Sequence, residues 1–368
     1  MALPAPGAGS RAGPASREWQ APFPVDVRLV LSVHRRGPRD PAYRVSGDGA
    51  VWRTSRTPDG PGTLRVTARP AGPAAVGTGT GTRSGGTGSA GASALAAIGD
   101  AARGGSAAGS VSATTGTPLP GAAAVTEVSA TAWGPGAQWL LDSLPSLLGA
   151  ADDPAGFAPA HPVLRELSRR HPGARIGRSG RVLEALVPAV LEQKVVGLEA
   201  HRAWRWLLLR FGDPAPGPAP AGMRVFPAAG TWPRIPSWDW HRAGVEAVRA
   251  RTIAAAARSA GRVEEILAMP AADADRRLRA LPGIGPWTSA EVRQRACGDA
   301  DAVSVGDYHL PAAVGWALAG RVVDDAGMLE LLAPYRGHRY RAARLIELGG
   351  ARPPRRGPRM PVRDYRAF

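Results

Sequence analysis

The chain has 368 residues, of which 46 are lysine or arginine and 30 are aspartate or glutamate, so its formal charge is +16. At about 150 residues per domain, this length predicts two or so domains with a real hydrophobic core. The single cysteine, Cys297, excludes an intramolecular disulfide framework, a cysteine-rich zinc module and a four-cysteine iron–sulfur cluster. No apolar run of membrane-spanning length and no secretory signal pattern stands out, so we expect a soluble protein of the reducing cytoplasm.

The excess of basic side chains predicts a polyanionic partner, nucleic acid first and an anionic membrane surface second. Lys194 is the only lysine, so the other basic residues are arginines. Arginine forms bidentate hydrogen bonds with phosphates but cannot form a Schiff base. Compositional drift in a proteome rich in Ala, Arg, Gly and Pro explains the choice of arginine over lysine. It does not explain the excess of base over acid.

The first part of the chain has strand patterns interrupted by a low-complexity segment. Residues 1–21 are rich in proline, glycine and alanine and are expected to form a disordered tail. A segment of about residues 70–124 has almost no large apolar side chain, which predicts a disordered insertion. Residues 22–150 are therefore predicted to form one β-rich domain, which ends in a helix over 137–148. Alternating apolar and polar residues predict its strands at 25–31, 50–54, 63–67 and 125–133.

From residue 151 the pattern becomes helical, and residues 151–351 are predicted to form a second domain. Residues 352–368 carry six arginines and four prolines, which is typical of a flexible basic arm or of a solvated terminus without a role. Apolar periodicity predicts the helices of the second domain at 181–211, 238–260, 263–267, 271–280, 286–297, 308–319, 326–332 and 338–348.

A Gly-x-Gly string stands between two of these helices, in the sequence Leu-Pro-Gly-Ile-Gly-Pro-Trp-Thr-Ser-Ala of residues 281–290. Such a turn exposes backbone N–H groups at the start of the second helix, and these amides and the helix dipole suit a DNA phosphate. Gly283 and Gly285 allow positive φ and close approach of a nucleic-acid backbone. A bare Gly-x-Gly is more often an ordinary helix–helix turn, but the full ten-residue string is more specific.

A candidate catalytic carboxylate follows this hairpin. Asp307 stands in the string Gly-Asp-Tyr-His-Leu-Pro, just before another predicted helix and 22 residues after Gly285. A lone aspartate at such a position is usually a helix N-cap. The preceding hairpin gives the catalytic interpretation more weight than Asp307 alone would.

Together with residues 186–197 (LVPAVLEQKVVG) and 332–336 (LAPYR), these strings make the chain resemble the helix-hairpin-helix DNA glycosylases, specifically the bacterial 3-methyladenine DNA glycosylase II type. The resemblance covers most of residues 25–349, apart from the insertion. It implies an α+β fold, in which an N-terminal antiparallel β-rich domain is followed by an all-α helix-hairpin-helix glycosylase domain.

The resemblance also implies the residues of the active site. Asp307 matches the family's catalytic carboxylate. Trp287, Tyr308 and Tyr335 match aromatic positions that line the base pocket, although simple core packing is an alternative for each of them. Stacking of an aromatic ring on a cationic base contributes about 0.5–2 kcal/mol.

Contacts with DNA are implied for a further set of residues. Gln193 and Lys194 match the place where a side chain fills the gap left by an extruded base. The family usually has Gln or Leu at the second of these positions, so either Gln193 or Lys194 can be the wedge. The backbone carbonyls of Leu281 and Ile284 match those that hold a monovalent cation, Na⁺ or K⁺, and no other cofactor is expected. The implied DNA-binding residues are Gly283, Gly285, Thr288, Gln193 and Lys194.

The implied function is that of a monofunctional DNA glycosylase in base excision repair, which hydrolyses the N-glycosidic bond of flipped-out alkylated purines of the 3-methyladenine and 7-methylguanine type. Bifunctional relatives use a lysine two residues after the second hairpin glycine, where this chain has Trp287. The expected partner is double-stranded DNA with damaged bases, bound by a monomer that is cytoplasmic and nucleoid-associated, with no membrane role. The alternatives are a non-catalytic DNA-binding protein, a glycosylase for deaminated or oxidised purines, and a lyase acting through Lys194.

Overall fold

A five-stranded antiparallel sheet forms the N-terminal part of the computed structural model, which describes residues 13–70, 125–350 and 353–354. Pro70 and Thr126, on either side of the predicted insertion, lie opposite each other on neighbouring strands. Residues 71–124 themselves lie outside the described residues. The strands are Ala15–Ala21 (β1), Tyr43–Val45 (β2), Val51–Thr57 (β3), Gly60–Pro70 (β4) and Thr126–Trp133 (β5), in the spatial order β1, β5, β4, β3, β2.

Helices make up most of the remaining described structure, and a two-stranded ribbon of Asp213–Pro214 (β6) and Arg224–Val225 (β7) lies among them. The predicted combination of an antiparallel sheet with a helical region is confirmed. No helix of the described residues is long and apolar enough to cross a membrane. The helices are Val27–Leu31 (α1), Ala137–Leu147 (α2), Pro162–Arg170 (α3), Val182–Leu191 (α4), Gly197–Phe211 (α5), Ser237–Ala243 (α6), Ala247–Arg258 (α7), Ala260–Glu264 (α8), Ala271–Arg279 (α9), Pro286–Val292 (α10), Leu310–Ala319 (α11), Asp325–Leu332 (α12) and Arg339–Gly349 (α13).

Three apolar cores organise these elements. In the first, α1 and α2 cover one face of the sheet, where Leu140 and Leu144 pack with Leu64 and Val128. The second surrounds α4, whose residues are all buried except Glu184, and it includes side chains from α5, α7, α9 and α10. The third joins α3, α11, α12 and α13. The predicted hairpin therefore belongs to the second core, and the helix that follows Asp307 belongs to the third.

The strand predicted at residues 25–31 is wrong, because most of this segment is helix α1. The side chain of Asp26 accepts a hydrogen bond from the backbone N–H of Leu29 at 2.9 Å, which caps the first turn. Val27, Val30 and Leu31 then lie at helical spacing and are buried. In so short a segment, the alternation that favoured a strand also fits one buried helical face.

The predicted N-terminal tail also has to be shortened. Residues 15–21 form strand β1, which pairs along its whole length with β5, from Ala15 opposite Ala132 to Ala21 opposite Thr126. Long-range pairing supplies the order that the composition of residues 1–21 did not predict. The predicted tail at residues 352–368 lies outside the described residues except for 353–354.

Two predicted helices are each divided. The helix predicted at 181–211 ends at Leu191, and α5 begins only at Gly197. The helix predicted at 238–260 is interrupted at Gly244, whose φ of +77° ends α6 in the left-handed conformation. The first break places the half-buried Gln193 and the exposed Lys194 in a turn.

Ion pairs join the sheet to the helical region. Glu184, the one polar residue of α4, accepts hydrogen bonds from the Ser55 hydroxyl at 2.8 Å and from the guanidinium of Arg53. Arg36 pairs with Glu192 at 2.9 Å just after α4. The sheet therefore holds the helix that leads into the turn containing Gln193 and Lys194.

His34 lies among the arginines of this junction. Burial, followed by the positive charges of Arg53, Arg295 and Arg36, lowers the pKa of His34 well below its ordinary value of 6.5. An unfolded chain takes up a proton at His34 near pH 6.5, whereas the folded chain stays neutral there. The free energy of unfolding therefore decreases as the pH falls below 6.5, because only the unfolded chain gains this proton, and it is not affected by His34 above that pH.

We predict that His34→Gln makes the free energy of unfolding less sensitive to acid. Between pH 7 and pH 5, the wild type should lose up to about 1 kcal/mol per pH unit more than the variant, because only the wild type takes up this proton on unfolding. Urea titrations at both pH values measure the difference, from which any pH-independent loss of packing cancels. Parallel pH dependences of the two proteins would contradict the assignment.

Candidate active site and DNA-binding hairpin

Helices α9 and α10 form the predicted helix-hairpin-helix, with the turn at residues 280–285. Ile284 is buried and anchors the turn in the second core, and its N–H donates to the carbonyl of Leu281 at 3.1 Å. Pro282, Gly283 and Pro286 are exposed. The hairpin thus turns its backbone outward at the start of α10, as an anion-binding turn requires.

The two hairpin glycines differ in backbone conformation and in what surrounds them. Gly283 has a φ of +85°, and a Cβ atom there would lie 2.2 Å from the hydroxyl oxygen of Thr252 on α7. Gly285 has an extended backbone with a φ of −96°, and a Cβ atom there would meet nothing within 4 Å. Gly283 is therefore required by the fold, whereas the protein itself leaves open space beside Gly285.

Asp307 lies at the start of α11, and its carboxylate is held by three N–H donors. Oδ1 accepts from the backbone amides of His309 at 2.7 Å and Leu310 at 2.8 Å. Oδ2 accepts from the indole N–H of Trp287 at 3.0 Å. Asp307 is therefore not the N-cap residue of α11, which is His309, but from two residues before it the Asp307 carboxylate holds the first amides of that helix. The same carboxylate is also tied to the hairpin helix α10.

The predicted aromatic residues have three different environments. Trp287 is half-buried and donates to Asp307. Tyr308 is 80% exposed, with its ring edge-on to that of His309. Tyr335 is only 2% exposed, and its hydroxyl is hydrogen-bonded to the backbone N–H and the ring of His161. Tyr335 thus packs in the third core, which fits the core-packing alternative, and its place in a base pocket stays a prediction.

The turn before α5 contacts the hairpin through Gln193. Its side-chain amide donates to the carbonyl of Gly283 at 2.9 Å and lies 2.8 Å from the hydroxyl of Thr288. Thr288 is 1% exposed, so its side chain faces the protein. Lys194 is exposed and has a φ of +54°, the only positive φ of a non-glycine residue among those described. Of the two wedge candidates, Gln193 is therefore occupied within the protein and Lys194 points outward.

Known proteins resemble this chain in sequence and in fold. It is 33% identical over 155 residues to the "Probable bifunctional transcriptional activator/DNA repair enzyme AlkA" of Mycobacterium tuberculosis, a match that spans 41% of this chain and 30% of the relative. A 3-methyladenine DNA glycosylase from Archaeoglobus fulgidus superposes with a TM-score of 0.59 at 15% identity, covering 90% of this chain and 96% of the other. No protein-family model matches the sequence.

The chain has the fold of the helix-hairpin-helix DNA glycosylases. A Clostridium acetobutylicum 8-oxoguanine glycosylase/lyase in complex with double-stranded DNA shares this fold with a TM-score of 0.60 at 9% identity, over 92% of this chain and 98% of the other. The resemblance found in the sequence is confirmed at the level of the fold. The glycosylase fold extends through the sheet as well as the helices, since these superpositions cover most of the chain.

Several residues that shape this candidate site are missed by the sequence analysis. Thr252 packs against Gly283, and the carboxylate of Asp325 accepts from the N–H of Gly306. Gln294, which is 4% exposed, donates to the carbonyl of Ala302 in the loop before Asp307. None of them stands in a recognisable motif, since each contacts a residue outside its own helix.

The predicted cation site is not tested by these contacts. The carbonyl of Leu281 accepts the N–H of Ile284, which leaves its second lone pair available. Within the described part of the chain, no group of three or more histidine, cysteine, aspartate or glutamate side chains could hold a metal ion. A monovalent cation on the carbonyls of Leu281 and Ile284 stays a prediction.

We predict that alanine impairs a different property at each of the two hairpin glycines. Gly283→Ala should lower the melting temperature by several degrees, because positive φ is unfavourable for alanine and the new Cβ meets Thr252. Gly285→Ala should leave the melting temperature near that of the wild type and weaken DNA binding, because its Cβ occupies the open side of the turn. Thermal unfolding and fluorescence anisotropy with duplex DNA measure the two effects. Equal destabilisation by both substitutions would contradict the division of roles.

Proposed function

We propose that this protein is a monofunctional DNA glycosylase of base excision repair, which hydrolyses the N-glycosidic bond of flipped-out alkylated purines of the 3-methyladenine and 7-methylguanine type and leaves an abasic site. One observation carries the proposal: the carboxylate of Asp307 is hydrogen-bonded to the helix that begins at the hairpin. A group suited to stabilising positive charge therefore stands beside a turn suited to holding a DNA phosphate.

The chemistry requires little more than a well-oriented negative charge. Cleavage of the bond between base and deoxyribose C1′ passes through an oxocarbenium-like state, which a neighbouring carboxylate stabilises. An N3- or N7-alkylated purine already carries positive charge, so it departs without a strong general acid. Because Oδ1 of Asp307 is held by two backbone amides, the carboxylate is oriented before DNA arrives. It can then stabilise the sugar cation and orient a water molecule for attack at C1′.

The base must leave the helical stack to reach this carboxylate. Flipping costs a few kcal/mol and is easiest at a damaged pair. Tyr308, an exposed aromatic ring directly after Asp307, is suited to stack on the extruded cationic base. Lys194 is suited to enter the vacated space or to pair with a flanking phosphate, because its side chain is exposed and its neighbour Gln193 is fixed to the hairpin.

The absence of strand cleavage is proposed from the residue at position 287. A Schiff-base lyase needs an amine beside the sugar, and this chain has Trp287 at the position where bifunctional relatives have lysine. The indole of Trp287 is also engaged with Asp307. Alkylated purines are proposed as substrates because the chain shares its fold with a 3-methyladenine DNA glycosylase and matches a mycobacterial DNA repair enzyme in sequence. The likeness to 8-oxoguanine glycosylases is one of fold, and a set of lesion duplexes tests that alternative directly.

We predict that Asp307→Asn lowers the release of free purine from alkylated DNA by about a hundredfold or more, because the charge that stabilises the sugar cation is lost. Asparagine still accepts the amides at the start of α11, but its NH2 group then faces the indole N–H of Trp287, so the melting temperature should fall by a few degrees while DNA affinity changes little. Chromatography of released bases measures the effect. The wild-type product should contain abasic sites that break only after treatment with alkali. Equal purine release by the two proteins would disprove the catalytic assignment of Asp307.

We predict that Trp287→Phe lowers the single-turnover rate of base release by about tenfold or more, because a hydrogen bond to a charged group contributes about 1.5–3 kcal/mol. The substitution keeps an aromatic ring and removes only the donor to Oδ2 of Asp307. Trp316→Phe is the matched control, since Trp316 lies on α11 and is 37% exposed. An unchanged rate in Trp287→Phe, or an equal loss in both variants, would show that the indole N–H has no such role.

A further inference from the structure

The loop of residues 302–306, which precedes Asp307, is held by side chains from other elements. Gln294 donates to the carbonyl of Ala302 at 2.8 Å and to the hydroxyl of Ser304 at 2.9 Å. That hydroxyl donates in turn to Glu291 at 2.6 Å. These contacts hold the loop as far as Ser304, three residues before the proposed catalytic carboxylate.

The last of these contacts before Asp307 is made by Asp325. Both of its carboxylate oxygens accept from the backbone N–H of Gly306, Oδ1 at 3.0 Å and Oδ2 at 3.1 Å. Gly306 has a φ of +90°, a conformation that side chains other than that of glycine rarely adopt. The carboxylate of Asp325 therefore holds the peptide unit between Val305 and Gly306. The unusual φ of Gly306 links this unit to the next one, in which the N–H of Asp307 donates to the carbonyl of Ser304 at 3.2 Å.

We propose that Asp325 is a positioning residue for the reaction, which fixes the Gly306–Asp307 backbone so that the Asp307 carboxylate faces the sugar. This inference rests on the proposed function, and it assigns a second acidic residue to the same site. Asp325 acts through the peptide N–H of Gly306, so we do not assign it a contact with DNA or with the reacting atoms.

The location of Asp325 supports a specific role. An acidic side chain beside a surface that binds a polyanion opposes binding by like-charge repulsion. Capping of α12 does not need Asp325, because the carboxylate of its neighbour Asp324 accepts the N–H of Gly327 at 2.9 Å. The hydrogen bonds that the Asp325 carboxylate accepts from the N–H of Gly306 then offset this repulsion. A displacement of about 1 Å at a reacting group can cost up to a hundredfold in rate, so a modest backbone shift here is enough to matter.

The chain offers a matched control for this inference. Asp325→Ala and Asp324→Ala each remove one negative charge from the same end of α12, and only Asp325→Ala removes the contact with Gly306. Asp325→Asn removes the charge and keeps one carbonyl oxygen that can accept the N–H. The test measures single-turnover base release from alkylated duplex DNA, affinity for the same DNA and melting temperature for the full-length wild type and all three variants.

Asp325→Ala should lower the single-turnover rate at least about fivefold with DNA affinity equal to or tighter than that of the wild type. Asp324→Ala should lower the melting temperature by a few degrees and keep the rate within about twofold, because only the helix cap is lost. Asp325→Asn should restore most of the rate. Wild-type activity in Asp325→Ala, or equal rate losses in Asp324→Ala and Asp325→Ala, would overturn the inference.

Failure of the proposed function gives a different result. If the wild type releases no alkylated purine, or if Asp307→Asn releases as much as the wild type, then the function or its catalytic residue is wrong. Hydrogen–deuterium exchange of residues 304–310 tests in either case whether Asp325 restrains the backbone at Gly306. Faster exchange in Asp325→Ala than in Asp324→Ala supports the hold on Gly306, and equal exchange in the two variants overturns it.

Discussion

The carboxylate of Asp307 ties two groups of helices together. One oxygen accepts the first amides of α11 in the third core, and the other accepts the indole N–H of Trp287 on the hairpin helix of the second core. In the sequence, helix capping and catalysis look like competing explanations of this aspartate. In the structure they depend on each other, because the cap fixes the direction in which the remaining lone pairs point.

Much of this site is formed by backbone N–H and C=O groups. The hairpin turns its backbone outward between Pro282 and Pro286, and Gln193 spans from the neighbouring turn to the carbonyl of Gly283. Several arginines close to the hairpin are paired with acidic side chains of the protein, Arg277 with Glu265 and Arg279 with Asp275. A phosphate at the turn is therefore expected to meet amides and a helix dipole before it meets free guanidinium groups.

The sequence was most informative where a short string determines a local shape. The hairpin could be predicted because its residue types are set by turn geometry within ten residues, whereas the catalytic role of Asp307 came from the resemblance and stays a prediction. The strand at 15–21 and the helix at 27–31 could not, because each depends on a partner distant in the chain or on a single cap such as Asp26. For Tyr335 the sequence left base pocket and core packing open for the same reason, since its burial depends on contacts with α13 and with His161, which are distant in the chain.

The meeting of Pro70 and Thr126 on neighbouring strands has a consequence for how this protein can vary. Residues 71–124 leave and rejoin the sheet at the same place, so the two ends are held together by strand pairing whatever lies between them. Each doubling of such a connection costs only about 0.6 kcal/mol in closure entropy. A longer or shorter segment between Pro70 and Thr126 is therefore expected to leave the register of β4 and β5 unchanged.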